Sequence, residues 1–420
     1  MDVARYLTFP IKQVHPLPPA LVGPGAHEMV GSSAQQLGFA RSLVMTTGLR
    51  GTGIVAELVG QLEHHGIEVV LFDGVESNPK DTNVMDAHEL FVANGCDSFV
   101  SIGGGSAHDC TKAARIVTAN DGRLINEFKS DLNLHQPTAP HLAITTTAGT
   151  GSETSFAFVV TDTTTDPDRP SKWTAGGWGA VATMAICDPV LHYSLPSDLT
   201  AYCGMDVLAH AIGAYVSILD APTAAGPALR AIELVAQHLP TATANPLNSG
   251  ARSGMLDAQY LAGISFNSAG LDAIHSISHA VSARHDTHHG LGNGIAMAPV
   301  TAFNLSACYD RYARIGVALG VADHSTPAIA AADAAFAAIV RLANDLEIPQ
   351  NFGQLPAYSK SQVGLGLYAD AGAPSADDPT HVDELAQHAL GDICSFTNPR
   401  SLTLDTMTNL MNEALVGTRS

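Results

Sequence analysis

The chain has 420 residues, 46% hydrophobic and only 14% charged, a composition that fits a large folded protein with room for two domains. Its 40 acidic against 20 basic residues give a net charge of −20, a field that repels phosphate backbones and anionic lipid and argues against nucleic-acid or membrane partners. Six scattered cysteines form no C-x-x-C pair, no apolar run nears the roughly 18–20 residues of a membrane span, and "MDVARYLTFPIKQ" lacks the apolar core of a secretory signal, so a soluble cytoplasmic protein is expected.

In chain order, apolar runs at 41–48, 67–74, 96–105 and 140–147 end in Gly, Asp or Thr and read as strands. Amphipathic stretches near 51–65 and 81–94 separate the first three. This alternation predicts a mainly parallel sheet covered on both faces, with ligands beyond the carboxyl ends of its strands. Past Asp188-Pro189, Ala- and Leu-rich helical patterns take over, as in 326–345, where Thr326 reads as the N-cap and Pro327 as the first helical residue. The expected architecture is an α/β dinucleotide-binding domain, 1–189, followed by an all-α metal-binding domain, 190–420. Residues 371–380 read as a surface loop.

Chemistry concentrates in four stretches. In "SFVSIGGGSAHDC" (98–110) a strand runs into Gly103, Gly104 and Gly105, then into a helix opening at Ser106. Glycines and free N–H groups there suit a pyrophosphate; a tight turn capped by Ser106, with Asp109 favoured by the helix dipole, fits as well. "ITTTAGTGSET" (144–154) repeats the arrangement, with Thr146, Thr147 and Thr150 beside Gly149 and Gly151. In "YCGMDVLAHAIGAYVS" (202–217), Asp206 and His210 are four apart, so both lie on one helix face, either as a hydrogen-bonded pair or as two ligands. "HSISHAVSARHDTHHG" (275–290) holds five of the 19 histidines. Asp206, His210 and two of these five would make a three-nitrogen, one-oxygen set suited to zinc, iron or another first-row divalent metal.

These stretches carry a resemblance. "GGGSAHD", "TTAGTGSE", "GMDVLAHAIGAYVS", the His275…His279…His289-Gly290 spacing and "CSFTNPR" (394–400) match, in order, motifs of the iron-containing (group III) alcohol dehydrogenase family. Within it the chain looks closest to bacterial methanol dehydrogenases and their nicotinoprotein relatives. The resemblance implies metal ligands Asp206, His210, His275 and His289, with His279 beside the metal moving protons. It places the cofactor along Gly103–Ser106, Asp109, Thr146, Thr147 and Thr150, with Asn78 and Lys172 nearby. Phe266 and Cys394 match positions at the substrate end, though either fits a plain core role. His285 and His288 have no assigned role and read as solvated. The metal is expected to be zinc or iron, with manganese or magnesium as alternatives.

The implied activity is hydride transfer between a small, methanol-like primary alcohol and a nicotinamide cofactor, in a homo-oligomer that the resemblance makes a decamer. Family members selective for NAD(H) often carry V-T-D at the first strand's end. Here Thr47 replaces the carboxylate and Arg50 follows, which favours NADP(H) over NAD(H). The cofactor is expected to stay bound and to be reoxidised in place by an aldehyde or an external electron acceptor, with an ordinary NAD(P)-exchanging alcohol or polyol dehydrogenase as the alternative. Trp173 and Trp178, on the glycine-bearing stretch 169–189, would close over it; a hairpin tip packed on a neighbouring subunit is the alternative. A metal-dependent lyase of the dehydroquinate-synthase type would need a strongly basic phosphate pocket, and the chain has six lysines. A non-catalytic metal- or nucleotide-binding protein would not need both cofactor loops.

Overall fold

The runs Arg41–Thr46 (β2), Ser98–Gly103 (β4) and His141–Thr145 (β5) are buried along almost their whole length, as strands covered on both faces must be. In the computed structural model, which describes residues 12–355 and 379–417, they lie at the centre of a six-stranded sheet. With β1 (Ala20–Val22), β3 (Glu68–Phe72) and β8 (Met184–Cys187) the order is β1-β8-β5-β4-β2-β3, every pair parallel. Helices α1 (Val30–Gln36), α2 (Ile54–His64), α3 (Asp81–Ala93) and α4 (Gly105–Ala119) accompany it. The registers Thr46↔Ile102 and Gly103↔Thr145 align three strand ends, so their loops gather at one edge. β6 (Ala157–Asp162) and β7 (Ser171–Gly176) form a separate antiparallel hairpin. The sheet is what the strand–helix alternation predicts, and the helical remainder what the Ala- and Leu-rich patterns predict.

From Ser197 onward the regular elements among the described residues are helices. Helix α5 (Ser197–Val216) is buried on nearly every side, packed against α6 (Ala225–Ala244), α7 (Ser249–Ala269) and α9 (His289–Leu305). Helices α8 (Ala273–His285), α10 (Tyr309–Ala318), α11 (Ala328–Asp345), α12 (Pro379–Gly391) and α13 (Leu404–Val416) complete this part. The two parts are laced together at the N-terminus. Lys12 Nζ donates to Leu219 O at 2.7 Å, His15 N to Ser268 Oγ at 3.0 Å, and Asn267 Nδ2 to Pro16 O at 3.1 Å.

Two helix starts differ from the sequence reading. α4 opens at Gly105 with Gly104 as its uncapped N-cap residue, so Ser106 is not the cap and Asp109 lies beyond the first turn. α11 opens at Ala328 with Pro327 as the N-cap residue, while the Thr326 hydroxyl turns back to the Asp323 carboxylate. α4 starts straight from the end of β4 through an extended Gly104, and α11 starts after the Asp323–Thr326 turn. The loop expected at 371–380 falls outside the described residues apart from its last two positions, which begin α12.

Glycine lets α9 settle on its neighbours. A Cβ at Gly290 would run into the Tyr202 carbonyl oxygen of α5, and one at Gly292 would lie 2.5 Å from Ser278 Oγ of α8. Gly290→Ala should therefore lower the unfolding free energy by about 1–3 kcal/mol, read as a lower urea midpoint at unchanged m-value. Gly226→Ala, where an added Cβ meets nothing within 4 Å, should show no loss.

Candidate metal and cofactor site

The buried face of α5 carries Asp206 and, one turn on, His210. α8 begins behind a cap made by Asp272, whose side chain accepts the Ile274 N–H, and this places His275 in its first turn. The chain leaves α8 through Asp286 in the left-handed region (φ 49°). It then returns so that Ser278 Oγ donates to His289 O at 3.0 Å, one turn from His275. Helix α9 starts at His289 because His288 caps it, Nδ1 accepting the Leu291 N–H at 3.4 Å.

The ligand-type atoms of Asp206, His210, His275 and His289 lie within 4.8 Å of one another. Asp206 Oδ1 is 3.8 Å from His210 Nδ1, 3.8 Å from His275 Nε2 and 3.6 Å from His289 Nε2, too far for hydrogen bonds and close enough to share one ion. His210 Nδ1 and both ring nitrogens of His275 are buried without a partner, each an uncompensated cost of about 1–3 kcal/mol. A divalent cation would satisfy ring nitrogens of this kind and the carboxylate together. Burial pushes the His210, His275 and His289 pKa values down, the last two far down, which leaves neutral imidazoles able to ligate. The donor set fits a first-row divalent metal.

The sequence reading missed Asn293, four residues after His289 on α9. Its Nδ2 donates to Asp206 Oδ1 at 2.6 Å and lies 3.2 Å from His289 Nε2. The helical spacing from His289 was the available signal. His279 sits beside the cluster, 5.2 Å from His289 by ring centroids. The two histidines expected to be solvated are half-buried and engaged: His288 is the cap just described, and His285 Nε2 faces His381 Nε2 at 3.0 Å. They terminate and brace helices.

One cavity of about 530 Å³ joins the cluster to the sheet edge. His210, His275, His279 and His289 line one end; Phe266, stacked on His210 with centroids 4.7 Å apart, and buried Cys394 line the wall. Of the expected cofactor residues, Asn78, Gly105, Ser106, Asp109, Thr150 and Lys172 reach the cavity. Thr47, Gly103, Gly104, Thr146 and Thr147 are not among its lining residues. They shape it from behind: Thr146 N donates to Gly103 O at 2.9 Å, and Thr147 packs so closely that a Cβ on Gly104 would lie 2.8 Å from its hydroxyl. Gly105 is equally tight against Thr150.

Buried charge fixes both loops. Asp109 accepts from Ser152 Oγ at 2.5 Å and Val159 N at 3.1 Å, so it staples the second loop instead of serving the helix dipole. Lys112, another residue missed, donates to Ser152 Oγ, Ser155 Oγ and Ala157 O. Lys172 donates to Asn78 Oδ1 at 2.7 Å, and Asn78 Nδ2 donates to Asp286 Oδ1 at 2.9 Å. Burial, aided by Lys80, pulls the Lys172 pKa down to about 8.

The tryptophans do not form a lid. Trp173, on β7, is 3% exposed and packs edge-on against Phe158 in the core; Trp178 is 58% exposed and lies against His135. Neither lines the cavity. Strand alternation turned Trp173 inward, and the glycines around Trp178 serve close backbone contacts: a Cβ on Gly179 would lie 3.0 Å from Leu134 O.

Two family models match the chain: "Iron-containing alcohol dehydrogenase" over residues 18–189 and "Fe-containing alcohol dehydrogenase family, C-terminal" over 200–415. The methanol:N,N-dimethyl-4-nitrosoaniline oxidoreductase of Amycolatopsis methanolica is 52% identical over 415 residues, covering 97% of this chain and 96% of the relative. Its counterpart from a Mycobacterium species is 50% identical over 423 residues, covering 100% and 99%. The crystal structure of a 1,3-propanediol oxidoreductase superposes with a TM-score of 0.85 at 35% identity, covering 96% of this chain and all of that one.

The cluster geometry sets an expected pattern of metal content. His275→Ala or His289→Ala should yield folded protein without bound metal by plasma mass spectrometry, whereas His279→Ala should keep it. Asn293→Ala should weaken metal affinity about 10–100-fold. Full occupancy in His289→Ala would remove that residue from the ligand set.

Proposed function

This chain belongs to the iron-containing alcohol dehydrogenase family, and we propose that it moves hydride from a small, methanol-like primary alcohol to a nicotinamide dinucleotide that stays bound between turnovers. The observation that carries this reading is one cavity lined both by three imidazoles of the Asp206 cluster and by Gly105, Thr150 and Lys172 of the sheet side. When bound, a divalent metal (zinc or iron, with manganese or magnesium as alternatives) supplies Lewis acidity that makes an alcohol hydroxyl acidic near neutral pH, and the dinucleotide supplies the hydride acceptor.

The chain's own residues do the rest. Asp206, His210, His275 and His289 hold the ion, and the glycine-lined start of α4 with Thr150 receives the pyrophosphate. Lys172, anchored by Asn78, sets a cation at the cofactor side. Phe266 covers His210 and, with Cys394, limits the alcohol to a short chain. Burial raises the Cys394 thiol well above its usual range, so it stays protonated and acts as wall. His279 takes the hydroxyl proton toward solvent. Among the lining residues the lysines are Lys12 and Lys172, with no arginine, which disfavours the phosphate-handling lyase reading.

Retention of the cofactor is supported by the relatives' names, which pair methanol with a nitrosoaniline acceptor instead of a free nucleotide. An aldehyde or another external acceptor then reoxidises it in place. NADP(H) is preferred over NAD(H): Thr47 carries no charge, and Arg50 reaches Asp73 only through an exposed contact of 3.2 Å, a pair weak enough to turn toward a 2′-phosphate. The same resemblance supports a cytoplasmic homo-oligomer, decameric in the methanol dehydrogenase manner.

Protein purified through gel filtration should retain a nicotinamide absorbance band that grows when a short alcohol is added, and mass analysis of the extract should give NADP(H). Nucleotide-free protein that turns over only with added NAD(P) would show an exchanging enzyme, and extracted NAD(H) would overturn the cofactor preference.

A further inference from the structure

His279 is 3% exposed, lines the cavity, and lies beside His275 and His289 without belonging to their cluster. Its Nδ1 is 2.8 Å from Oδ2 of Asp392, a residue 6% exposed in the 3-10 turn that also carries Cys394 and Phe396 of the cavity wall. The other oxygen, Oδ1, accepts the Cys394 N–H at 2.8 Å and the Ser276 hydroxyl at 3.4 Å. The partners that the carboxylate faces are therefore donors, and among the described residues no lysine or arginine pairs with it.

From this geometry we infer that Asp392 is a positioning residue: it fixes His279 as the Nδ1–H tautomer and holds its Nε2 as the ring atom free to accept a proton. An ionised carboxylate has no hydrogen to give, so a 2.8 Å contact with an imidazole nitrogen requires the ring to donate. The remaining nitrogen then carries the lone pair, which a neutral imidazole needs to take a proton from a hydroxyl. The direction of the Asp392 pKa agrees: burial alone would raise it, but His279 and the hydrogen bonds bring it down to about 2, so the group is ionised across the working range. Two contacts on Oδ1 prevent the carboxylate from turning away, and the ring cannot flip without breaking the bond to Oδ2.

This inference rests on the alcohol dehydrogenase reading for its kinetic consequence, but the tautomer can be read without turnover. Neutron diffraction from crystals exchanged into heavy water should place a deuteron on His279 Nδ1 and none on Asp392. A deuteron on Asp392, with Nδ1 bare, overturns the proposal whatever the enzyme's activity. Kinetically, Asp392→Asn presents an amide that can donate to Nδ1 and invert the tautomer. It should lower kcat about 10–100-fold, with the alcohol KM within twofold and metal content unchanged. In a His279→Ala background the same change should cost nothing further, because Asp392 acts through that ring. A kcat for Asp392→Asn within twofold of wild type, or a second loss in the double variant, overturns it. If Asp392→Asn does not fold, Asp392→Glu keeps the charge and displaces the acceptor. Its kcat should fall at least threefold in the wild-type background and not at all beside His279→Ala.

Discussion

A carboxylate 2% exposed, Asp206, faces three imidazoles that burial keeps uncharged, and that electrostatic imbalance governs the rest of the molecule. Neutral rings cannot compensate a buried anion, and a single Asn293 amide offsets only part of the cost. A cation would complete the set. Holding four such groups in register demands rigid supports, which explains why α5 is buried on nearly every side. It also explains why α9 approaches α5 and α8 through Gly290 and Gly292, where side chains would force them apart. A misplacement of about 1 Å here would break coordination, so packing precision serves the site before it serves stability.

The same logic reaches the sheet side. Asn78 stands between Lys172 and Asp286, so the αL residue that ends α8, and with it the return of the chain to His289, is tied to the hairpin strand β7 and to Lys80. The loops after β4 and β5 are locked by Asp109, half-buried, and Lys112, fully buried. A dinucleotide spanning the cavity would thus meet walls fixed from both parts at once. Walls fixed in this way would hold a hydride donor and acceptor at a reproducible distance.

Much of this was legible in the sequence, and the residues show why. Strands β2, β4 and β5 announce themselves because strands covered on both faces are continuous apolar runs, and Asp206/His210 because a spacing of four puts them on one helical face. The gathering of those residues with His275 and His289 came from motif resemblance; spacing alone made a plain Asp–His pair the default. Less visible were features decided by long-range contact. β1 is only three residues long and is a strand because β8 offers it an edge. Trp173 looked like part of a mobile flap because its neighbours are glycines, but strand alternation turns it into the core. Ser106 and Thr326 have the chemistry of caps, yet one helix begins directly off the end of β4 and the other after a turn in which Thr326 bonds Asp323. Asp392 stood two residues from a motif cysteine and drew no notice, since nothing local says that it meets His279, 113 positions away.

The net charge of −20 invites the conclusion that an anionic ligand is unwelcome, and the interior reverses it. Lys112, Arg115 and Lys172 are all buried, placed on the sheet side, and partnered mostly by neutral acceptors: Ser152 and Ser155 hydroxyls, backbone carbonyls and the Asn78 amide oxygen. Positive charge held this way is screened little by salt and is not cancelled by a neighbouring carboxylate in direct contact. The acidic exterior repels phosphate-rich polymers within about a Debye length, while Lys172, the one of these three that lines the cavity, acts on what enters it. A dinucleotide carries its own negative charge past the first and into the second, and the surface that rejects nucleic acid need not reject a nucleotide.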